Sequence, residues 1–354
     1  MKTKTIANYK EQQKTLLLQY ATKITAMMTG TASGMRNDRT CGPYRHACAV
    51  PPQRGEVMTT TSATKEQEYC ALIADVKDSR TYEPARREEL QSTIRDSLAL
   101  LNGLFSANMV KPMMFSAGDE VQGLFDGPSA AFLAFRLLAM LLRPCRLKGG
   151  IGIGGWTVRM MSPESTMQDG PAYHDARDAV EFAKRSRLYD AAFWRSRCCD
   201  PHRTVLADHS LGMQAMRTAA QADAALAIEL TSPITGARFT CSEGEYRDAV
   251  TRVLSHRGSL RNRSATLVDR ILGRTGEWIG PIHPISYGDE VWSREGASTA
   301  LAVGLAPDLR GMPYELAELS GMSRQGIARL VSQARVGQER NAAFVFCELA
   351  ERGR

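Results

Sequence analysis

Between positions 128 and 142 the chain is apolar almost without a break: Ala130, Phe132, Leu133, Phe135, Leu137, Leu138 and Met140 recur too densely for one helical stripe. A helix with apolar groups on nearly every side has to be covered by other parts of the fold. It is also too short to span a bilayer, which takes roughly 18 or more consecutive apolar residues. Its natural partner is a sheet, and strand-like runs stand on both sides of it. Upstream, Tyr69 to Asp75 is a buried-strand pattern, and Met113 to Phe125 reads as two strands around a tight turn. Downstream, Lys148-Gly-Gly-Ile-Gly-Ile-Gly-Gly155 alternates Ile151 and Ile153 on one face. Glycine at such density in a strand marks the close approach of something else, either a packed helix or a bound nucleotide. It does not read as a dinucleotide loop, which follows a strand and opens a helix.

Between the first two strands, Pro84 opens a helix whose buried stripe is Leu90, Ile94, Ser97, Leu98, Leu101 and Leu104. The order strand, helix, strand, strand, helix, strand predicts an α+β fold of ferredoxin-like type, an antiparallel sheet with its helices on one face. A further helix follows Asp169-Gly-Pro-Ala and runs through Lys184.

Acidic residues stand at two exposed ends of this sheet. Ala71-Leu-Ile-Ala-Asp75-Val-Lys-Asp78 ends a buried run on a carboxylate, and Ala117-Gly118-Asp119-Glu120-Val121 puts acids at a hairpin tip where Gly118 is free to take φ > 0. If the strands are neighbours, Asp75 and Asp119 converge. Two carboxylates repel unless a cation sits between them, and such oxygen ligands suit Mg²⁺ or Mn²⁺ arriving with a nucleotide's phosphates. Taken alone, each piece is equally an ordinary turn.

The succession Ile-Ala-Asp-Val-Lys-Asp-Ser-Arg, Ala-Gly-Asp-Glu-Val-Gln-Gly-Leu-Phe, Gly-Ile-Gly-Ile-Gly and Asp-Gly-Pro-Ala-Tyr-His-Asp-Ala-Arg, over residues 69–184, resembles the SatD family of bacterial proteins. More distantly it is similar to the palm-like domain of class III nucleotidyl cyclases and GGDEF diguanylate cyclases. The resemblance implies that Asp75 and Asp119 are the metal aspartates and catalytic, with Glu120 and Arg177 assisting. It further implies that Asp78, Gly118, His174 and Arg177 face a nucleoside triphosphate. The chain departs from those cyclases at Ala117, which replaces a glycine. It also departs at His174 and Arg177, which stand where they use Asn and Arg at slightly different spacing.

Residues 1–66 are expected to form a disordered or loosely ordered extension: a weakly helical stretch near 11–28 gives way to Thr, Ser, Gly, Pro and Arg. Met58 is a candidate natural start. Residues 67–210 then make the sheet domain, with Thr204-Val-Leu-Ala207 read as a further strand. Residues 211–310 make a helical connector, with helical patterns at 212–230, 243–255 and 264–272. Its basic run Arg257, Arg261, Arg263, Arg270 and Arg274 reads as a solvated face or a nucleic-acid contact.

Residues 311–354 carry the second strong signal. In Pro313-Tyr-Glu-Leu-Ala317-Glu-Leu-Ser-Gly321-Met-Ser323-Arg324-Gln325-Gly-Ile327-Ala-Arg329-Leu330, small Ala317 allows helices to approach, Gly321 turns the chain and Ser323 caps the next helix. That is helix-turn-helix spacing, similar to the helix-turn-helix seen with SatD-like domains. Ser323, Arg324, Gln325 and Arg329 are its DNA-binding candidates.

The formal net charge of +7 favours a polyanionic partner. The eight cysteines are scattered, and adjacent Cys198 and Cys199 with His202 make a poor chelate, so a reducing cytoplasmic compartment is expected. No membrane partner is expected, and a homodimer is left open. Two functions follow. One is a metal-dependent nucleotide-binding domain of cyclase or nucleotidyltransferase type joined to a DNA-binding module. The other is a non-catalytic transcriptional regulator whose palm-like domain senses a ligand or mediates assembly.

Overall fold

The computed structural model describes residues 67–159, 167–235, 241–259, 267–278, 280, 284–286, 309 and 311–351. All of them fall within one compact unit, Met58–Arg354. The expectations for residues 1–66, the suggested start at Met58 included, lie outside the described residues, as do Arg261 and Arg263.

The fold is mixed α+β around a six-stranded, mostly antiparallel sheet. Its strands are β1 (Tyr69–Val76), β2 (Met109–Ala117), β3 (Glu120–Phe125), β4 (Leu147–Gly154), β5 (Ala191–Arg195) and β6 (Cys198–Cys199), in the spatial order β2-β3-β1-β4-β5-β6. β1 pairs antiparallel with both β3 and β4, matching Ala74 to Val121 and Leu72 to Ile151. β5 joins β4 in parallel, an addition that the strand pattern did not announce. Two residues apart along β1, side chains share a face. Cys70, Leu72, Ala74 and Val76 enter the main core, where α1 (Pro84–Leu104) and α2 (Pro128–Leu141) lie. Tyr69, Ala71 and Ile73 face the other way, onto α3 (Pro171–Arg185).

The expectation of helices on one face therefore needs correction, because α3 covers the opposite face. The glycines of β4 explain why it can. A Cβ on Gly152 would overlap the backbone of Ala172 and Ala176, and one on Gly150 would overlap Ala176 and Val180. The close neighbour of the glycine strand is thus α3. On the other side of the same strand, a Cβ on Gly149 would strike the Phe135 ring of α2.

β2 is an edge strand, and its outer edge is blunted from within the fold. Asn102 of α1 donates to Met113 O and accepts from Met113 N, both at 2.9 Å, in the manner of a neighbouring strand. Pro112 removes another donor, and irregular pairing bends the strand.

Beyond the sheet come α4 (Pro201–Ala215), α5 (Ala219–Thr231), α6 (Glu243–Ser259), α7 (Leu267–Thr275), α8 (Met312–Ser320), α9 (Arg324–Gln333) and α10 (Val336–Glu351). A small parallel pair, β7 (Ile234–Thr235) and β8 (Ile285–Ser286), sits among them. The strand expected at Thr204 to Ala207 is part of α4: Asp200 caps the helix by accepting from Arg203 N, and Pro201 sets the first turn. The continuous helix expected over 212–230 is broken in two, because Thr218 and Gln221 form a reciprocal capping box that starts α5 afresh.

α10 packs on α4 and α2, and α9 on α5 and α10. At their meeting point Arg136 of the apolar α2 is fully buried between Glu229 of α5 (2.8 Å) and Glu339 of α10 (2.7 Å). Arg340 reaches Glu229 at 2.6 Å, Ser210 donates to Glu339, and Arg217 donates to Ala334 O at the end of α9. Burial opposes the charge on Glu339. The Arg136 charge and hydrogen bonds, with Arg217 behind them, overcome this and hold its carboxyl far below the usual range. Arg257, expected on a solvated face, is also buried: it binds Asp223 at 3.0 Å and donates to Leu141 O. No helix of the described residues is long and apolar enough to cross a membrane.

Candidate functional site

Asp75 has the parity of Ile73, so the strand end carries its carboxylate onto the α3 face. The register Ala74 to Val121 runs antiparallel, and its next step brings Asp75 level with Glu120 at the start of β3. Two cations of α3 meet these acids. Lys184 Nζ lies 2.9 Å from Asp75 Oδ2 and 3.1 Å from Glu181. Arg177 Nη1 lies 3.0 and 3.2 Å from the two oxygens of Glu120. Burial works against the Lys184 ammonium, yet its bonds to Asp75 and Glu181 and their charges prevail and raise its pKa.

Asp119 is the second residue of the two-residue turn that Gly118 opens with φ +64°, as a glycine-first hairpin of this length requires. One of its oxygens, Oδ2, is buried without a hydrogen-bond partner among the described residues. Asp78 stands on an exposed turn in the left-handed region at φ 58°, and its side chain makes no capping bond. His174 points its Nε2 at Asp169, 3.3 Å away. It lies ten positions before Lys184 on α3, about 15 Å along the axis.

Of the residues singled out from sequence, Glu120 and Arg177 are thus in direct contact, and Asp75 is level with them. His174 belongs to the other end of α3. Lys184 was missed, although Arg177, Glu181 and Lys184 at i, i+4 and i+7 mark one helical face in the sequence. Two other residues of the Tyr-His-Asp segment are buried. The Tyr173 hydroxyl has no hydrogen-bond partner among the described residues and is pushed up by burial and then by the charge of Asp169. Asp175 accepts from Arg197 N, which ties α3 to the turn between β5 and β6.

Asp119 Oδ2 is an orphaned oxygen of the kind a cation would satisfy, but Asp75 is already engaged by Lys184. Among the described residues no three His, Cys, Asp or Glu side chains group in a way that could hold a metal. Neither Cys198 nor Cys199 is joined in a disulfide among the described residues.

Residues 69–194 match the model of the SatD family. Over this stretch the chain is similar to the SatD family. Its match runs from the first residue of β1 through Trp194 of β5, and so takes in Asp75, Asp119, Glu120, Arg177 and Lys184. No curated protein matches the chain.

A second candidate surface lies outside the SatD domain. α8 ends at Gly321, whose φ of +67° reverses the chain, and Ser323 starts α9 by accepting from Gly326 N at 3.1 Å. Ile327 and Val331 bury one side of α9. Arg324, Gln325, Ala328, Arg329, Ser332 and Gln333 are exposed. No carboxylate of the described residues pairs with Arg324 or Arg329. The Ser323 hydroxyl oxygen is occupied by its cap, which makes it a positioning group for this surface.

Proposed function

We propose that this protein is a ligand-responsive DNA-binding regulator. In this reading the first four strands form a ferredoxin-like palm, whose order β2-β3-β1-β4 with all neighbours antiparallel suits that arrangement. α8 and α9 form a helix-turn-helix. The observation that carries the reading is the outer face of α9, where Arg324, Gln325 and Arg329 stand exposed and uncommitted after a glycine turn. A helix presenting Arg and Gln in this way suits base edges and phosphates in the major groove of duplex DNA.

The ligand is a nucleotide bound at the Asp75 end of α3. Lys184 and Arg177 are the groups that would take its phosphates, exchanging Asp75 and Glu120 for stronger anionic partners. Mg²⁺ or Mn²⁺ belongs to this reading as the counter-ion that the phosphates bring. A catalytic reading, as a nucleotidyl cyclase or transferase, has one observation in its favour, the unpartnered Asp119 Oδ2.

The test is fluorescence anisotropy of labelled duplex DNA with and without each nucleoside triphosphate. Arg324→Ala with Arg329→Ala should weaken DNA binding at least tenfold and flatten its salt dependence by about two contacts. Lys184→Ala should weaken nucleotide binding tenfold or more while leaving DNA affinity in the absence of nucleotide unchanged. DNA binding that survives the double substitution removes α9 from the interface. Product formation from a triphosphate that is abolished by Asp119→Asn would decide for catalysis.

A further inference from the structure

We infer that the DNA-facing surface does not end with α9 but continues onto α7, where Arg274 contacts a backbone phosphate of duplex DNA. The inference rests on the DNA-binding reading and adds a residue from a separate helix. α7 buries Leu267, Val268 and Ile271 and exposes Arg270 and Arg274, four apart on its outer side. Arg274 lies against the turn between α8 and α9: a Cβ on Gly321 would overlap its guanidinium. Gly321 is needed for its φ of +67°, and the Arg274 side chain rests against it.

The position is the one a phosphate contact needs. When a second helix enters the major groove, the preceding helix and the turn lie over the DNA backbone. Here Arg274 lies against that turn, and Ser323 and Arg324 follow it in the chain. No carboxylate of the described residues pairs with Arg270, Arg274, Arg324 or Arg329. Glu318, three positions before Gly321, is hydrogen-bonded by the Tyr314 hydroxyl of its own helix. A guanidinium held at a fixed place by a packed helix suits a phosphate, because its planar donors can bind two oxygens at once. Duplex DNA is favoured over duplex RNA, whose deep, narrow major groove does not admit a helix such as α9.

The experiment uses the full chain and a fluorescein-labelled DNA duplex of mixed sequence, titrated over a series of salt concentrations. Arg274→Ala should weaken binding about five- to tenfold at low salt and lower the salt slope by about one, since one phosphate contact is lost. Arg274→Lys should keep the slope and most of the affinity, which separates a charge contact from a packing role. Because the Arg274 guanidinium makes no hydrogen bond or ion pair among the described residues, thermal unfolding of Arg274→Ala should match that of the unsubstituted protein. If Arg274→Ala binds DNA unchanged while the Arg324→Ala and Arg329→Ala pair loses binding, this inference fails and the DNA reading stands. If all three arginines are dispensable, the DNA reading fails and takes this inference with it. A duplex RNA of the same sequence bound as tightly as the DNA would overturn the choice of partner.

Discussion

Asp208 shows how much one carboxyl can depend on its neighbours. It sits on α4, half-buried, close to Asp190 and Lys148. Burial, and then the charge of Asp190, push its pKa up to about 6, with Lys148 pulling the other way. An unfolded aspartate titrates near ~4. Between these values the folded state holds a proton that the unfolded state has lost, so stability declines as pH rises through this window, and the cost is complete above about pH 6. Asp208→Asn should therefore stabilise the protein at pH 7, by about 1–2 kcal/mol once partial solvent screening is allowed for. The gain should vanish near pH 4, as urea unfolding at the two pH values would show. An equal gain at both would mean that Asp208 is not the proton-binding group. Nothing in the residues around position 208 announces this, because Asp190 and Lys148 come from a loop and a strand distant in the chain. Asp75 and Asp119 were legible by contrast: a buried run that stops on an acid, and a glycine before an acid at a turn, are local signals.

At the scale of elements, the contact that builds the candidate site is that of α3 on β4. The glycines there were visible as an anomaly in a strand, but which helix they admit was not. The apolar helix α2 was the obvious candidate on composition, and amphipathic α3 is the one whose backbone touches Gly150 and Gly152. Gly152→Ala should push α3 off the sheet and cost about 2–3 kcal/mol, a typical penalty for overpacking. Gly155→Ala is the control, since a Cβ there meets only Pro171 at ordinary contact distance. Thermal unfolding followed by circular dichroism should show a lower midpoint for the first variant and little change for the second. Equal midpoints would show that α3 can adjust without loss. The misread strand at Thr204 to Ala207 belongs to this scale too. β-branched and apolar residues there suggested a strand, and the cap at Asp200 with Pro201 outweighed that local preference.

Across the whole molecule, the buried charges of Arg136, Glu229, Glu339 and Arg340 join the helix over the SatD sheet to the helix that follows α9. The arginines cannot be left without their carboxylates inside a protein, so breaking the set is far more costly than its net contribution suggests. Glu339→Gln should lose about 3–5 kcal/mol at pH 7. Both glutamates are held below their ordinary pKa, burial opposing and the arginines prevailing. Their contribution is present above the unfolded value of ~4.3 and is lost as pH falls below it. If the network unites the halves of the fold, the variant should still unfold in a single step in urea, with helix content and tryptophan fluorescence changing together. Separate transitions would show that the C-terminal helices are an independent module.

By itself the sequence determined the elements from β1 to β4 and their order along the chain, the turn at Gly118, the cap at Ser323 and the outward arginines of α9. Each of these depends on residues within a few positions of one another. Only the tertiary structure decided that Lys184 and Arg177 meet Asp75 and Glu120, that α3 takes the second face of the sheet, and that Arg136 and Arg257 are buried. Those outcomes depend on which distant segments share a dry interior. A charged side chain carries no mark in its own neighbourhood of whether a counter-charge waits for it two hundred residues away.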